Sequence, residues 1–283
     1  MNGFEYTEVI TSRQNASVVA VCKLADKKHR DAEKSFRVDG VKLFEEAVCS
    51  GCEINAVFLR EGSLDKLWDR IGQELKRFPK AKIKVVSDGV FDKMTEEKSP
   101  EGIICVVKHI DKLHKTVKIN NMDILSDEID GHKAFAVESV RDPGNLGTII
   151  RTAAAFGVDI LFISSDCADL YNPKTVRAAM GALFRQRIIR VDDFPAAMRF
   201  LSKTGRKTYA ATLGKEAVLL GDEKLRGLDC IVIGNEGHGL SENTIKACDR
   251  NILIPMTVGA ESLNAAIAAS VCMWEQFGRN LNK

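Results

Sequence analysis

No apolar stretch in the 283-residue chain is long enough to span a membrane, which argues against an integral helical membrane protein. The opening residues Met1-Asn-Gly-Phe-Glu-Tyr-Thr-Glu8 lack the basic and apolar regions of a signal peptide, and their acids argue against a transit peptide. A cytoplasmic protein is the expectation. Eight cysteines (22, 49, 52, 105, 167, 230, 248 and 272) follow no regular spacing, so reduced, mostly buried thiols are expected. Cys49-Ser-Gly-Cys52 is a lone CxxC without a second pair or a paired-histidine partner, and no metal site is expected from it. Net charge is only +2, too small by itself to announce a nucleic-acid partner. The phosphate-binding GxxxxGK[ST] is absent, and the glycine loops Gly144-x-x-Gly147 and Gly234-x-x-Gly237-x-Gly239 do not have the dinucleotide-binding order. There is no internal repeat or low-complexity tract.

What is present is a globular composition, 45% apolar and 28% charged, in a chain long enough for two ordinary domains. Apolar β-branched runs alternate with helix-period segments, the signature of an α/β fold. Residues 1–35 read as a helical lead-in, with a capping stretch at 11–15 and Val18, Val21 and Leu24 at helical spacing. Residues 36–108 alternate strands at 36–39, 54–59, 83–87 and 102–107 with helices at 41–47, 65–78 and 90–94, which indicates a small α/β/α sandwich. Residues 109–133 show little periodicity and read as a linker. Alternation resumes over 134–283, with strands at 134–137, 160–163, 188–191 and 207–211 and helices at 147–156 and 173–181.

Two glycine-punctuated segments close that second region: Ile231-Val-Ile-Gly-Asn-Glu-Gly-His-Gly-Leu-Ser241 and Ile252-Leu-Ile-Pro-Met-Thr-Val-Gly-Ala-Glu-Ser-Leu-Asn264. Each reads as a buried strand, a loop without bulk and a helix, with Ser241 and Ser262 placed as helix caps. Such loops free main-chain groups at strand ends, where a flat polar molecule can be gripped. Between Leu170 and Val191 there is no acid, but Lys174, Arg177, Arg185, Arg187 and Arg190 all occur. Charge alone leaves a solvated basic surface and a phosphate-contacting one equally open.

Together with Asp142-Pro-Gly-Asn-Leu-Gly-Thr-Ile-Ile-Arg151, the two segments resemble the three ordered motifs of the SpoU (TrmH-like) branch of the SPOUT RNA methyltransferases. Arg37-Val-Asp-Gly40 and the element order around it resemble the L30e-like substrate-binding domain that precedes the catalytic domain in many members. The resemblance implies a C-terminal α/β domain with a deep trefoil knot, a homodimer, and S-adenosyl-L-methionine-dependent transfer of methyl to a ribose 2′-hydroxyl. The two-domain layout favours ribosomal RNA as substrate. A tRNA methyltransferase and a non-catalytic RNA-binding assembly factor with the same fold are the alternatives.

Position by position, the resemblance assigns Asn145, Arg151, Glu236, Ser262 and Asn264 to the catalytic site. It assigns Thr212, Gly234, Ile254, Met256 and Leu263 to the cofactor, held largely through main chain. Lys174, Arg177 and Arg185 are expected to contact RNA phosphate. Each residue also has a plainer reading. Arg151 would be an exposed helix arginine in an ion pair, and Glu236 a cap for the following helix. Ile254 and Leu263 would be core, and Ser262 only a cap. With a pKa above about 12, arginine is an improbable free base, so Arg151 either takes the 2′-hydroxyl proton transiently or only orients the hydroxyl.

Overall fold

The computed structural model describes residues 8–118, 126–214, 216–257 and 262–280, so the expected loop residues 258–261 and Asn120-Asn121 lie outside the description. The chain divides into two units: Met1–Ile110 with Tyr171–Phe184, and Asp111–Leu170 with Arg185–Lys283.

The first unit runs β1 (Val9–Ile10), α1 (Ala16–Lys23), α2 (Lys27–Glu33), β2 (Ser35–Asp39), α3 (Val41–Cys49), β3 (Ile54–Arg60), α4 (Leu64–Leu75), β4 (Ile83–Val86), α5 (Asp88–Met94) and β5 (Ile103–Lys108). Its strands form a sheet in the order β1-β4-β3-β5-β2, parallel over the first three and antiparallel where β5 joins. The expected helical lead-in is built into this unit. β1 pairs with β4, and Val18 and Val21 of α1 pack with Phe58, Val86, Phe91 and Ile104 in one apolar cluster.

The second unit contains β6 (His114–Val117), α6 (Ser126–Ile129), β7 (Ala134–Val137), α7 (Pro143–Ala155) and β8 (Ile160–Ser164). After α8 (Pro173–Ala179), which belongs to the first unit, it resumes with β9 (Arg187–Val191), α9 (Phe194–Lys203), β10 (Thr208–Ala211), β11 (Val218–Leu219), β12 (Cys230–Ile233), α10 (Glu242–Ala247), β13 (Arg250–Leu253) and α11 (Ala265–Gln276). Among the described residues its sheet runs β11-β13-β10-β12-β7-β8-β9-β6, parallel throughout. Parallel strands covered on both faces read as near-continuous apolar runs, and β7, β12 and β8, which is apolar up to its last residue Ser164, are buried at every residue. Phe194, Ala197, Met198 and Leu201 of α9 pack against Ile160, Phe162 and Val232 from the sheet. α7 and α11 meet through Thr152 and Ser270, whose hydroxyls lie 3.3 Å apart, and through the Phe156 and Trp274 rings.

Three sequence expectations are corrected here. Residues 109–133 are not a plain linker, because β6 adds to the edge of the sheet beside β9. An edge strand needs no continuous apolar run, and His114-Lys115-Thr116-Val117 has none. The second region is also not one body from 134 to 283. Tyr171 stacks on Phe36 of β2 at 4.5 Å and its hydroxyl accepts from the Ile110 amide at 2.8 Å, which holds the segment carrying α8 to the first unit. Finally, α7 begins at Pro143, not at 147: Asp142 accepts from the Asn145 amide at 2.8 Å, and proline suits a first turn whose amides are otherwise unpaired.

Candidate active site

In an open parallel sheet, ligands bind outside the carboxyl ends of the strands. β13, β10, β12 and β7 are sheet neighbours, and the residues leaving their carboxyl ends are Ile254, Thr212, Gly234 and Glu138. Three of these four are positions assigned to the cofactor from sequence.

Asn145 sits in the first turn of α7, and its side chain is a hub. Its Nδ2 donates to the Glu236 carboxylate, and its Oδ1 accepts from Asn264 Nδ2 at 3.1 Å. Asn264 uses its other end to cap α11, accepting from the amides of Ala266 at 3.0 Å and Ile267 at 3.3 Å. Asn264, not Ser262, is therefore the cap. An N-cap side chain reaches only the amides two or three residues on, and Ser262 stands two residues before the cap position, exposed. Ser241 caps α10 as its spacing implied, accepting from the Thr244 amide at 3.2 Å. Glu236 is no helix cap: its carboxylate is taken by Asn145.

The loop that carries Glu236 is tightly braced. Asn235 and Gly239 exchange backbone hydrogen bonds at 3.0 and 2.9 Å, and Asn235 Oδ1 accepts from the amides of Gly237 at 2.8 Å and His238 at 3.3 Å. A Cβ at Gly234 would stand 2.3–2.5 Å from the backbone of Gly239 and Leu240, so only glycine fits that close approach. The exit of the loop is pinned by Glu138, a buried acid. Its carboxylate accepts from the Ser241 amide and hydroxyl, both at 2.9 Å, and from the Thr244 hydroxyl at 2.6 Å. Sequence reasoning missed Glu138; the available signal was an acid directly following a wholly apolar strand.

Arg151 lies on α7 six residues beyond Asn145, about 9 Å farther along the helix axis. It is exposed, and no hydrogen bond or ion pair ties it to another described residue. The plainer ion-paired reading finds no partner among the described residues.

At the positions expected to hold the cofactor, the Thr212 amide donates to the Ile252 carbonyl at 2.9 Å, while its hydroxyl oxygen is buried and has no partner among the described residues. Ile254, Met256 and Leu263 are half-buried, so their side chains are not wholly committed to the core. Their main-chain groups make no backbone hydrogen bond among the described residues. Thr212 and Ile254 leave adjacent strands, and their groups without partners among the described residues are a donor and acceptor set open to a polar ligand.

Residues 133–274 match the model of the SpoU rRNA Methylase family, and residues 15–105 match that of the MRM3-like substrate binding domain. The chain belongs to the SpoU rRNA methylase family. Among similar SpoU-type proteins is the 23S rRNA guanosine 2′-O-methyltransferase RlmP of Bacillus subtilis, 29% identical over 95% of this chain and 99% of that one. Another is the 23S rRNA guanosine-2′-O-methyltransferase RlmB of Pectobacterium atrosepticum, 30% identical over 77% of this chain and 87% of that one. The AdoMet-bound rRNA methyltransferase of Sinorhizobium meliloti superposes with a TM-score of 0.80 at 26% identity, over 97% of this chain and 98% of that one.

In this SpoU-family chain the expected RNA contacts fall on both units. Lys174, exposed in the first turn of α8, and Arg177, half-buried near its end, belong to the first unit, whereas Arg185, exposed, belongs to the second. Among the described residues no helix is long and apolar enough to cross a membrane. The thiols are free, and burial pushes the Cys52 thiol up to about 11.

Proposed function

We propose that this chain is an S-adenosylmethionine-dependent rRNA methyltransferase acting on a ribose 2′-hydroxyl, the reaction that its relatives' names specify for them. The observation that carries the reading is the junction of Asn145, Glu236 and Asn264 at the strand ends, with Arg151, which has no partner among the described residues, on the same helix as Asn145. Thr212 Oγ1 and the main chain of Gly234, Ile254, Met256 and Leu263 would hold the methyl donor. When bound, S-adenosylmethionine supplies an electrophilic methyl group on a sulfonium centre. Transfer of that methyl to the 2′-oxygen would release a neutral thioether, and the contribution of the chain's residues would be mainly to position the ribose.

The chain's residues then have separate tasks. Asn145, fixed from both sides, and Asn264 form a rigid polar wall for the ribose, and Ser262 adds an exposed hydroxyl beside it. Arg151 orients the 2′-hydroxyl and the adjacent phosphate through its planar fork while the proton passes to water. Lys174, Arg177 and Arg185 engage the backbone of a structured RNA, and the first unit supplies shape recognition.

The active form is a homodimer in this reading. Ile267, Val271 and Trp274 are 52%, 37% and 51% exposed along one stripe of α11, an apolar face suited to a second copy. Trp274→Glu should convert the dimer to a monomer in sedimentation, and an unchanged dimer mass would overturn this part.

The test of function is transfer of labelled methyl from S-adenosylmethionine to unmodified rRNA and to bulk tRNA, followed by nucleoside analysis. A 2′-O-methylated nucleoside released from rRNA supports the proposal. Labelling of tRNA alone replaces the substrate. Failure to bind the methyl donor at all would leave an RNA-binding assembly factor.

A further inference from the structure

Ser139, the second residue after β7, has a φ of 57°, a left-handed conformation that a residue with a Cβ seldom adopts. Three hydrogen bonds hold it there. Its amide donates to Ser164 Oγ at 2.8 Å, its hydroxyl donates to Asp166 Oδ2 at 2.6 Å, and its carbonyl accepts from Asn235 Nδ2 at 2.9 Å. Asp166 organises the far side of this arrangement, since its Oδ1 accepts from Ser164 Oγ at 2.6 Å and its Oδ2 also accepts from Arg141 at 3.1 Å. Burial raises the Asp166 carboxyl, but the hydrogen bonds from Ser139, Ser164 and Arg141 outweigh it and hold it below its usual range. An ionised acceptor of this kind makes shorter and stronger hydrogen bonds than a neutral one.

The carbonyl direction of Ser139 matters because of what it meets. Asn235 donates to it from one end of its side chain, and with the other end accepts from the amides of Gly237 and His238, the two residues directly after Glu236. The path therefore runs without a break from Asp166 through Ser139 and Asn235 to the peptide of Glu236, which in turn holds Asn145.

We infer that Asp166 is a positioning residue for the Glu236 loop, acting through the left-handed backbone of Ser139. It touches neither the methyl donor's candidate residues nor Arg151. Its role in methyl transfer rests on the proposed function; its role in ordering the loop does not.

Glycine separates the backbone effect from the side-chain one, because it adopts positive φ without a steric cost. Ser139→Ala loses the anchor and keeps the Cβ, whereas Ser139→Gly loses the anchor and the need for it. The variants Asp166→Ala, Asp166→Asn, Ser139→Ala, Ser139→Gly and the double Asp166→Ala/Ser139→Gly are compared by two readouts. One is kcat and KM for methyl transfer from S-adenosylmethionine to unmodified rRNA. The other is amide hydrogen exchange at Gly237 and His238, which requires no activity.

Asp166→Ala and Ser139→Ala should lower kcat by roughly 10- to 100-fold, the scale of a misplacement of about 1 Å, with KM for the methyl donor unchanged. Both should speed exchange at the two amides. Ser139→Gly should keep both readouts near wild type, and Asp166→Ala should add nothing in that background. Asp166→Asn keeps the shape and one acceptor, and should fall between. The inference is overturned if Asp166→Ala leaves both readouts unchanged, or if the double variant is as impaired as Asp166→Ala alone. A wild-type chain that transfers no methyl would sink the proposed function, and the exchange series alone would then decide this inference.

Discussion

Asn264 donates its side-chain amide to the Asn145 carbonyl oxygen at 3.1 Å, across 119 residues of chain. The contact interlocks two helix starts, because Asn145 lies in the first turn of α7 and Asn264 caps α11. The Glu236 carboxylate meets Asn145 at the same place, where the positive end of the α7 dipole favours an anion. One asparagine thus caps a helix and sets a candidate catalytic side chain, and the two tasks separate by mutation.

Asn264→Ala should lose both, destabilising the chain by about 1 kcal/mol through the missing cap and abolishing methyl transfer. Asn264→Asp retains the cap oxygen but presents no donor to Asn145. Its thermal midpoint should stay near wild type while transfer is lost. Unimpaired transfer by the aspartate variant would show that the Asn145 contact is dispensable.

Arg151→Ala should lower methyl transfer by about 10²-fold or more, the scale of removing a charged group that orients reacting atoms. Arg151 is exposed and makes no bond within the described chain, so stability should change by no more than about 0.5 kcal/mol. Arg151→Lys should not restore the rate, because an ammonium lacks the planar fork. Turnover near wild type in the alanine variant would remove Arg151 from the mechanism.

Thr212→Val tests the cofactor assignment without disturbing the free protein. The Thr212 hydroxyl oxygen is buried and has no partner among the described residues, so replacing it by a methyl group of similar shape should leave stability unchanged or slightly raise it. Affinity for S-adenosylmethionine should fall by about tenfold, the worth of one hydrogen bond. Calorimetric titration and thermal unfolding report the two effects separately. Equal affinity in both proteins would mean that the hydroxyl faces no ligand.

Asp249 carries a pH-dependent share of stability. Burial pushes its carboxyl up, but the Thr208 amide at 2.8 Å, the Ser202 hydroxyl at 2.8 Å and the Thr208 hydroxyl at 2.9 Å prevail, and it lies below its ordinary 3.8. A carboxyl lowered by folding stabilises above its unfolded pKa, and that contribution is lost as pH falls through the folded pKa. The stability gap between wild type and Asp249→Asn should therefore be constant at neutral pH and shrink as pH drops below 3.8. A gap that widens in acid would reverse the assigned sign.

Sequence by itself determined the alternation of elements in both regions. A parallel strand covered on both faces has no choice but to be apolar throughout, so Ala134–Val137 and Cys230–Ile233 stand out without any structure. Local rules also placed the Ser241 cap, and the motif resemblance singled out Asn145, Arg151, Glu236 and Asn264. Such signals act over a few residues, along a strand or around one helical turn.

Only the tertiary structure decided what lies beyond that reach. It set β12 between β10 and β7, which carries the Glu236 loop to Asn145, and it drew a polar segment of the expected linker into the sheet as β6. It gave Tyr171–Phe184 to the first unit through the stacking of Tyr171 on Phe36. It moved a cap from Ser262 to Asn264, and it revealed Glu138 and Asp166 as the acids that hold the loop. These are pairings between residues far apart in the chain. They are selected by burial and by the need to satisfy every buried polar group, conditions that exist only once the sheet has formed.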